Sequence, residues 1–177
     1  MHYGVIKKHD VANGIGVRVS LFVSGCTHGC KECFNPEAWD FAYGQPFTSV
    51  TEEEILAALK PWYIRGFSLL GGEPFEPENQ KVLVGLLRKI KADHPEKTIW
   101  CYSGYLYDTE ILAGKVGEAK VAQEMLSYID VLVDGEFHIA EKNLNLRFCG
   151  SSNQRVINVP QSLKMGKVIL WEDTEEL

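Results

Sequence analysis

Short apolar runs that stop at glycine or a small polar residue alternate in this chain with segments of helical period, and nothing else constrains its fold as tightly. Val17, Val19, Leu21 and Val23 alternate with Arg18, Ser20, Phe22 and Ser24, a period of two that predicts a strand closed by Gly25. Thr51 and Glu54 read as a capping box, with Glu52 and Glu53 in an acidic first turn and Ile55, Leu56 and Leu59 on one face. A helix is therefore expected from there until near Pro61. Phe67–Leu70 reads as a short buried strand ended by Gly71 and Gly72. Pro77 then suits a first helical turn, and Val82, Leu83, Leu86, Leu87 and Ile90 recur at helical spacing up to Asp93. Thr98–Tyr102, Val131–Val133, Arg155–Val159 and Val168–Trp171 are further strand candidates, and Val121–Tyr128 is a further helix. Repeated strand–helix units predict an α/β fold around a parallel sheet.

The 177 residues are the length of one domain, so 1–177 is expected to be a single unit. At 45% apolar and 24% charged the chain can bury a core, which sets aside disordered and low-complexity classes. Its 18 Lys and Arg against 24 Asp and Glu leave a charge of −6, with no basic block to attract phosphates, so nucleic acid is not an expected partner. No apolar run approaches the roughly 18 residues needed to cross a bilayer. Lys7, Lys8, His9 and Asp10 interrupt the place of a signal sequence's apolar stretch, so a cytoplasmic protein without a membrane partner is expected. Glu172, Asp173, Glu175 and Glu176 read as a solvated acidic tail.

From Cys26 to Thr48 there is no period, and Gly29, Pro36, Gly44 and Pro46 mark a long loop with room for one helical turn; long ordered loops are usually functional. Five cysteines are an odd number, and Cys26, Cys30 and Cys33 crowd together while Cys101 and Cys149 stand apart, which is no disulfide framework. In a reducing compartment such crowding favours metal or redox chemistry. Three thiolates in a short loop straight after a strand can be aimed at one centre. Structural zinc normally closes with four ligands, and no nearby cysteine or spaced histidine pair completes a finger here. A 4Fe-4S cluster on three thiolates leaves one iron open to an exchangeable ligand. A zinc or simple redox site is the other reading of the triplet taken alone. His28, between two of the cysteines, reads as a turn residue and not a ligand.

The run Cys26-Thr27-His28-Gly29-Cys30-Lys31-Glu32-Cys33 resembles the cluster motif of the radical S-adenosylmethionine superfamily. The resemblance implies that Cys26, Cys30 and Cys33 hold a 4Fe-4S cluster whose open iron chelates the amino and carboxylate groups of S-adenosylmethionine. One electron then cleaves the sulfonium, giving methionine and a 5′-deoxyadenosyl radical. Gly71-Gly72-Glu73-Pro74, at the end of the next strand, is similar to the superfamily's Gly-Gly-Glu-Pro element. It implies contacts of Gly71, Gly72 and Glu73 with the methionine end. Much of the superfamily has an aromatic residue just before the third cysteine; here Glu32 stands there and the aromatic follows as Phe34. By resemblance Glu32, Cys33 and Phe34 border the adenine, with core filling as the other reading of Phe34.

Within the superfamily, Leu21 to Cys26, Cys33-Phe34-Asn35, Ser103-Gly104, Asp134-Gly135 and Gly150-Ser151-Ser152-Asn153-Gln154-Arg155 resemble the anaerobic ribonucleotide reductase activating proteins. Ile15 departs from that family's frequent proline and Cys149 from its frequent basic residue. The family implies an oxidoreductase that activates a glycyl-radical enzyme: a hydrogen atom is removed from one backbone glycine of the reductase's large subunit. The electron comes from reduced flavodoxin or a similar donor. No catalytic residues beyond the cluster ligands are expected, because the abstraction needs no acid or base from this chain. A full eight-unit barrel takes about 200 residues or more. The expected architecture is thus an incomplete (βα) barrel of about five or six parallel strands, with the cluster at their C-terminal ends and the open side toward the partner. Ser103, Asp134 and Asn153 fall at that rim as candidate contacts to the methionine carboxylate or the ribose, with turn and cap chemistry as the alternative. Cys101 and Cys149 are expected as small buried residues. Two other functions compete: activation of another glycyl-radical enzyme of the pyruvate formate-lyase type, and a non-catalytic zinc-binding module.

Overall fold

The structure, a computed structural model, describes residues 1–172; Asp173, Glu175 and Glu176 of the acidic tail lie outside the described residues. Seven strands form one sheet: β1 (His2–Asp10), β2 (Val17–Val23), β3 (Gln45–Pro46), β4 (Ile64–Gly71), β5 (Thr98–Ser103), β6 (Val131–Asp134) and β7 (Arg155–Asn158). Four α-helices accompany them: α1 (Ser49–Leu59), α2 (Pro77–Asp93), α3 (Ala119–Tyr128) and α4 (Val159–Met165). The strand order is β3-β1-β2-β4-β5-β6-β7. Among the described residues, no helix is long and apolar enough to cross a membrane.

The sheet is mixed, with four parallel strands where five or six were expected: β2, β4, β5 and β6 run parallel, while β1, β3 and β7 are antiparallel to their neighbours. A parallel neighbour usually takes a helical crossover. α1, α2 and α3 supply one for each parallel step, whereas β1 folds straight back onto β2 and the 135–154 segment between β6 and β7 has no α-helix, just a 3-10 turn, Ile139–Glu141, and an isolated bridge between Lys142 and Ser151. β1 carries no apolar alternation because its outer part is solvent-exposed. Two boundaries also differ from expectation. The cap of α1 is Thr48, whose N–H donates to Thr51 Oγ1 at 3.2 Å, and Glu54 instead pairs with Lys8 at 2.9 Å. Residues 168–171 form no strand, only a bridge at Leu170 flanked by hydrogen bonds of Ile169 and Trp171 to β7.

The sheet buries two unlike faces, as side chains alternate across it. Val19, Leu21 and Val23, Phe67 and Leu69, Ile99 and Cys101, and Leu132 join Ile55, Leu83, Leu87 and Met125 of the helices in one apolar core. The opposite residues are partly polar: Arg18, Ser20, Ser68, Trp100 and Tyr102. Arg18 is fully buried, and among the described residues no carboxylate pairs with it. Its Nε donates to Ser68 Oγ at 2.7 Å, Nη1 to Ile15 O and Thr98 Oγ1, and Nη2 to Phe67 O and Thr98 O, both at 2.8 Å. Burial pushes the guanidinium pKa down to about 10. The side chain stitches β2 to β4, β5 and the loop before β2.

Candidate functional site

The cysteine loop leaves β2 at Gly25 (φ +94°), where a Cβ would come within 2.3 Å of the Phe41 ring. It is fixed at its start by Gly25 N–H to Ala38 O (2.8 Å) and Cys26 N–H to Trp39 O (3.3 Å), which uses the 3-10 turn Pro36–Trp39 as a backstop. Thr27 donates twice to Glu76 Oε1, from its amide at 2.8 Å and its hydroxyl at 2.6 Å. A tight turn, Cys33 N–H to Cys30 O at 3.1 Å, brings the last two cysteines round.

All three cysteines border a cleft of about 450 Å³ at the C-terminal ends of the parallel strands, together with Glu32, Phe34, Gly71, Gly72, Glu73 and Ser103. Phe34 is 82% exposed, so its reading as core filling is corrected. Asp134 and Asn153 are not brought to the lining. Asp134 is fully buried: Arg155 Nε reaches Oδ1 at 2.9 Å, and Tyr107 N–H reaches Oδ2 at 2.8 Å. Asn153 Nδ2 donates to Glu136 O at 2.8 Å. Cys101 is buried in the core, whereas Cys149 is half-buried at the cleft. A second cavity of about 640 Å³, near Arg65, Lys97 and Asp130, lies by the opposite strand ends and holds no cysteine.

The glycines of the Gly71-Gly72-Glu73 element serve strand packing. A Cβ at Gly71, whose φ is +116°, would come within 2.6 Å of Val23 N and O; one at Gly72 would come within 2.5 Å of Gly25 O. Gly72 and Glu73 N–H donate to Val23 O (2.7 Å) and Gly25 O (2.8 Å). The Glu73 side chain is 1% exposed, and its carboxylate is a hub. Oε1 accepts from Phe75 N–H (2.8 Å) and Ser103 Oγ (2.9 Å); Oε2 accepts from Gly104 N–H (2.7 Å) and meets His28 Nε2 at 3.1 Å.

His28 is therefore more than a turn residue. Its side chain is 8% exposed, its Nδ1 lies 2.8 Å from Glu136 Oε1, and its ring packs on Tyr105 with centroids 4.3 Å apart. Burial works against charge on this ring, but the hydrogen bonds and charges of Glu73 and Glu136 outweigh it and hold its pKa up at about 9. Burial pushes the Cys26 thiol up to about 12, aided by Glu73 and Glu76, and pushes Cys30 up as well. Among the described residues, no three or more His, Cys, Asp or Glu side chains are gathered closely enough to hold a metal ion, the three cysteines included. The thiols share a loop and a cleft, and three soft donors without a fourth suit an iron–sulfur cluster with one open iron better than closed structural zinc.

Residues 12–157 match the family model described as a 4Fe-4S single cluster domain. Relatives described as anaerobic ribonucleoside-triphosphate reductase-activating proteins are similar over nearly their whole length. The chain is 37% identical to that of Pasteurella multocida over 163 residues, covering 91% of this chain and 99% of the relative. It is 40% identical over 159 residues to those of Enterobacteria phage T4 and Escherichia coli K12, covering 88% of this chain and 93% and 97% of theirs. The chain belongs to this activating-protein family. Family membership fits the triplet and disfavours the zinc-module alternative.

Sequence reasoning missed Glu76, Tyr105 and Glu136 as members of this site. Glu76 carried a local signal, standing three residues after Glu73 at the start of α2. Tyr105 and Glu136 follow the ends of β5 and β6, and only the parallel register brings them to His28.

Proposed function

We propose that this protein activates anaerobic ribonucleotide reductase as a radical S-adenosylmethionine enzyme. Cys26, Cys30 and Cys33 are the ligands of a 4Fe-4S cluster, and the protein substrate is the large reductase subunit. The observation that carries the reading is a three-thiol loop opening on the cleft at the parallel strand ends, beside Gly71-Gly72-Glu73. The relatives' names point to the same target. When bound, such a cluster supplies one-electron cleavage of S-adenosylmethionine, the means of taking a hydrogen atom from a glycine of the reductase.

This chain's own residues bind, orient and exclude water. The carboxylate of Glu73 meets four polar groups of the protein and so acts as a brace for the rim rather than as a base. Its partners Ser103 and Gly104 are thereby fixed beside Gly71 and Gly72, at the end assigned to methionine. Glu32, Cys33 and Phe34 flank the adenine side, where the exposed Phe34 ring is free to cover a base. Leu70, Val133 and Phe148 give the cleft apolar walls. Asp134 supports the rim by holding Arg155 and the Tyr107 amide. The open sheet is read as an incomplete barrel whose exposed side admits the reductase's glycine segment, and the electron arrives from reduced flavodoxin or a similar donor.

The test is anaerobic reconstitution followed by iron and sulfide analysis and by assay of 5′-deoxyadenosine after reduction with S-adenosylmethionine. About four irons and four sulfides per chain, with product lost in Cys30→Ser, are expected. Zinc without sulfide, or a fully loaded reduced cluster giving no product even with the reductase present, would overturn the reading.

A further inference from the structure

We propose that His28 is a positioning residue that pins the cysteine loop to the ends of β4 and β6, so that the thiols and the methionine rim keep one arrangement. The inference rests on the activase reading in one respect: the loop is taken to carry the cluster. Every other part of it stands on geometry. His28 lies within the triplet, yet its ring is 8% exposed and meets a carboxylate oxygen at each nitrogen, Glu73 Oε2 at 3.1 Å and Glu136 Oε1 at 2.8 Å. These partners lie 45 and 108 positions away in sequence. Tyr105, just beyond β5, closes on the ring face with centroids 4.3 Å apart. Gly104 leaves the room: a Cβ there would come within 2.6 Å of the imidazole.

One ring therefore joins the loop after β2 to segments following β4, β5 and β6. After Thr27 the loop is also tied by the Cys33 N–H to Cys30 O turn and by a backbone hydrogen bond of Phe137 to the Cys30 thiol. Gly29 has nothing within 4 Å of its Cβ position, and Glu32 adopts φ +57°. Removing the ring loosens the stretch that carries Cys30 and Cys33, which then keeps its tie to Phe137. Glu136 is the accessible arm of the bridge, its side chain 46% exposed, so movement of the 135–154 rim reaches the cysteine loop through His28. Outer groups of this kind fix the orientation of metal-binding side chains without touching the metal.

The decisive measurement is amide hydrogen exchange on the full-length, metal-free chain, comparing wild type, His28→Ala and Glu136→Ala. Residues 26–33 should exchange about tenfold faster or more in both variants, the factor expected from losing one charge-assisted hydrogen bond, while 83–90 in α2 stays unchanged. If His28→Ala also loses protection in α2, Glu136→Ala decides, since its side chain is half in solvent. Unchanged exchange over 26–33 in Glu136→Ala would overturn the proposal. In reconstituted protein of equal iron content, His28→Ala should alter the reduced-cluster electron paramagnetic resonance spectrum and its response to S-adenosylmethionine; identical spectra would also overturn it. A wild-type chain that takes up no iron would sink the activase reading, and the exchange result would still stand.

Discussion

Replacing Glu73 by glutamine separates a structural brace from a residue that serves only a ligand. The carboxylate offers two oxygens, each engaged twice. An amide keeps one oxygen and turns the other into a donor. If the NH2 takes the Oε1 side it faces Phe75 N–H; if it takes the Oε2 side it faces Gly104 N–H. Ser103 and His28 can reorient a proton, but a backbone N–H cannot, so either orientation leaves one buried donor unpaired, at about 1–3 kcal/mol. The remaining bonds also lose charge assistance, about 1 kcal/mol each, and relief from burying a charge at 1% exposure offsets part of that loss. The net expectation is about 3 kcal/mol. Urea unfolding of the metal-free chain should show the midpoint falling by about 1–2 M at unchanged slope. A loss below about 1 kcal/mol would refute the argument: the carboxylate would then be free to accept a ligand, as the sequence motif alone implies.

Arg18→Met should cost about 2–3 kcal/mol in the same assay, because carbonyls of Ile15, Phe67 and Thr98 lose their donor while relief from burying a charge offsets part of that loss; a loss under about 1 kcal/mol would mean those carbonyls find other partners. Gly71→Ala should cost about 3 kcal/mol and weaken the β2–β4 edge, since φ +116° is strained for any L side chain and the methyl meets Val23 backbone at 2.6 Å; wild-type thermal stability would contradict this. Arg155 hydrogen-bonds Asp108 and holds its carboxyl below the usual range. Such a group adds stability above its unfolded pKa, near 4, and loses it as pH falls through the lower folded value. Asp108→Asn should therefore lower stability slightly at neutral pH, leave it nearly unchanged below the folded pKa, and so flatten the acid limb of the stability curve; an equally steep limb with wild-type neutral stability would rule the pair out as a contributor.

The alternation of short apolar runs with helical segments was legible because each signal is local: β2, β4, β5 and β6, and the faces of α2 and α3, depend on neighbours within one turn or one pleat. The strand directions at the two edges were not legible, because β1 is only partly buried, with Tyr3 and Ile6 against the core and no regular period, and the direction of β7 depends on a connection that lacks an α-helix. The site divides in the same way. Cys26, Cys30 and Cys33 announce themselves by spacing along the chain. The groups that hold them do not: His28 has no acid beside it in sequence, and it meets Glu136 only because β6 lies beside β5, and β5 beside β4, in parallel register. Parallel register therefore does more than build a core here. It places Glu73, Tyr105 and Glu136 at one height above the sheet, each just past a different strand end, where a single imidazole can touch all three. A motif read by spacing names the atoms that bind; which buried groups keep those atoms in place follows from strand order, and changing either should be felt at the same cleft.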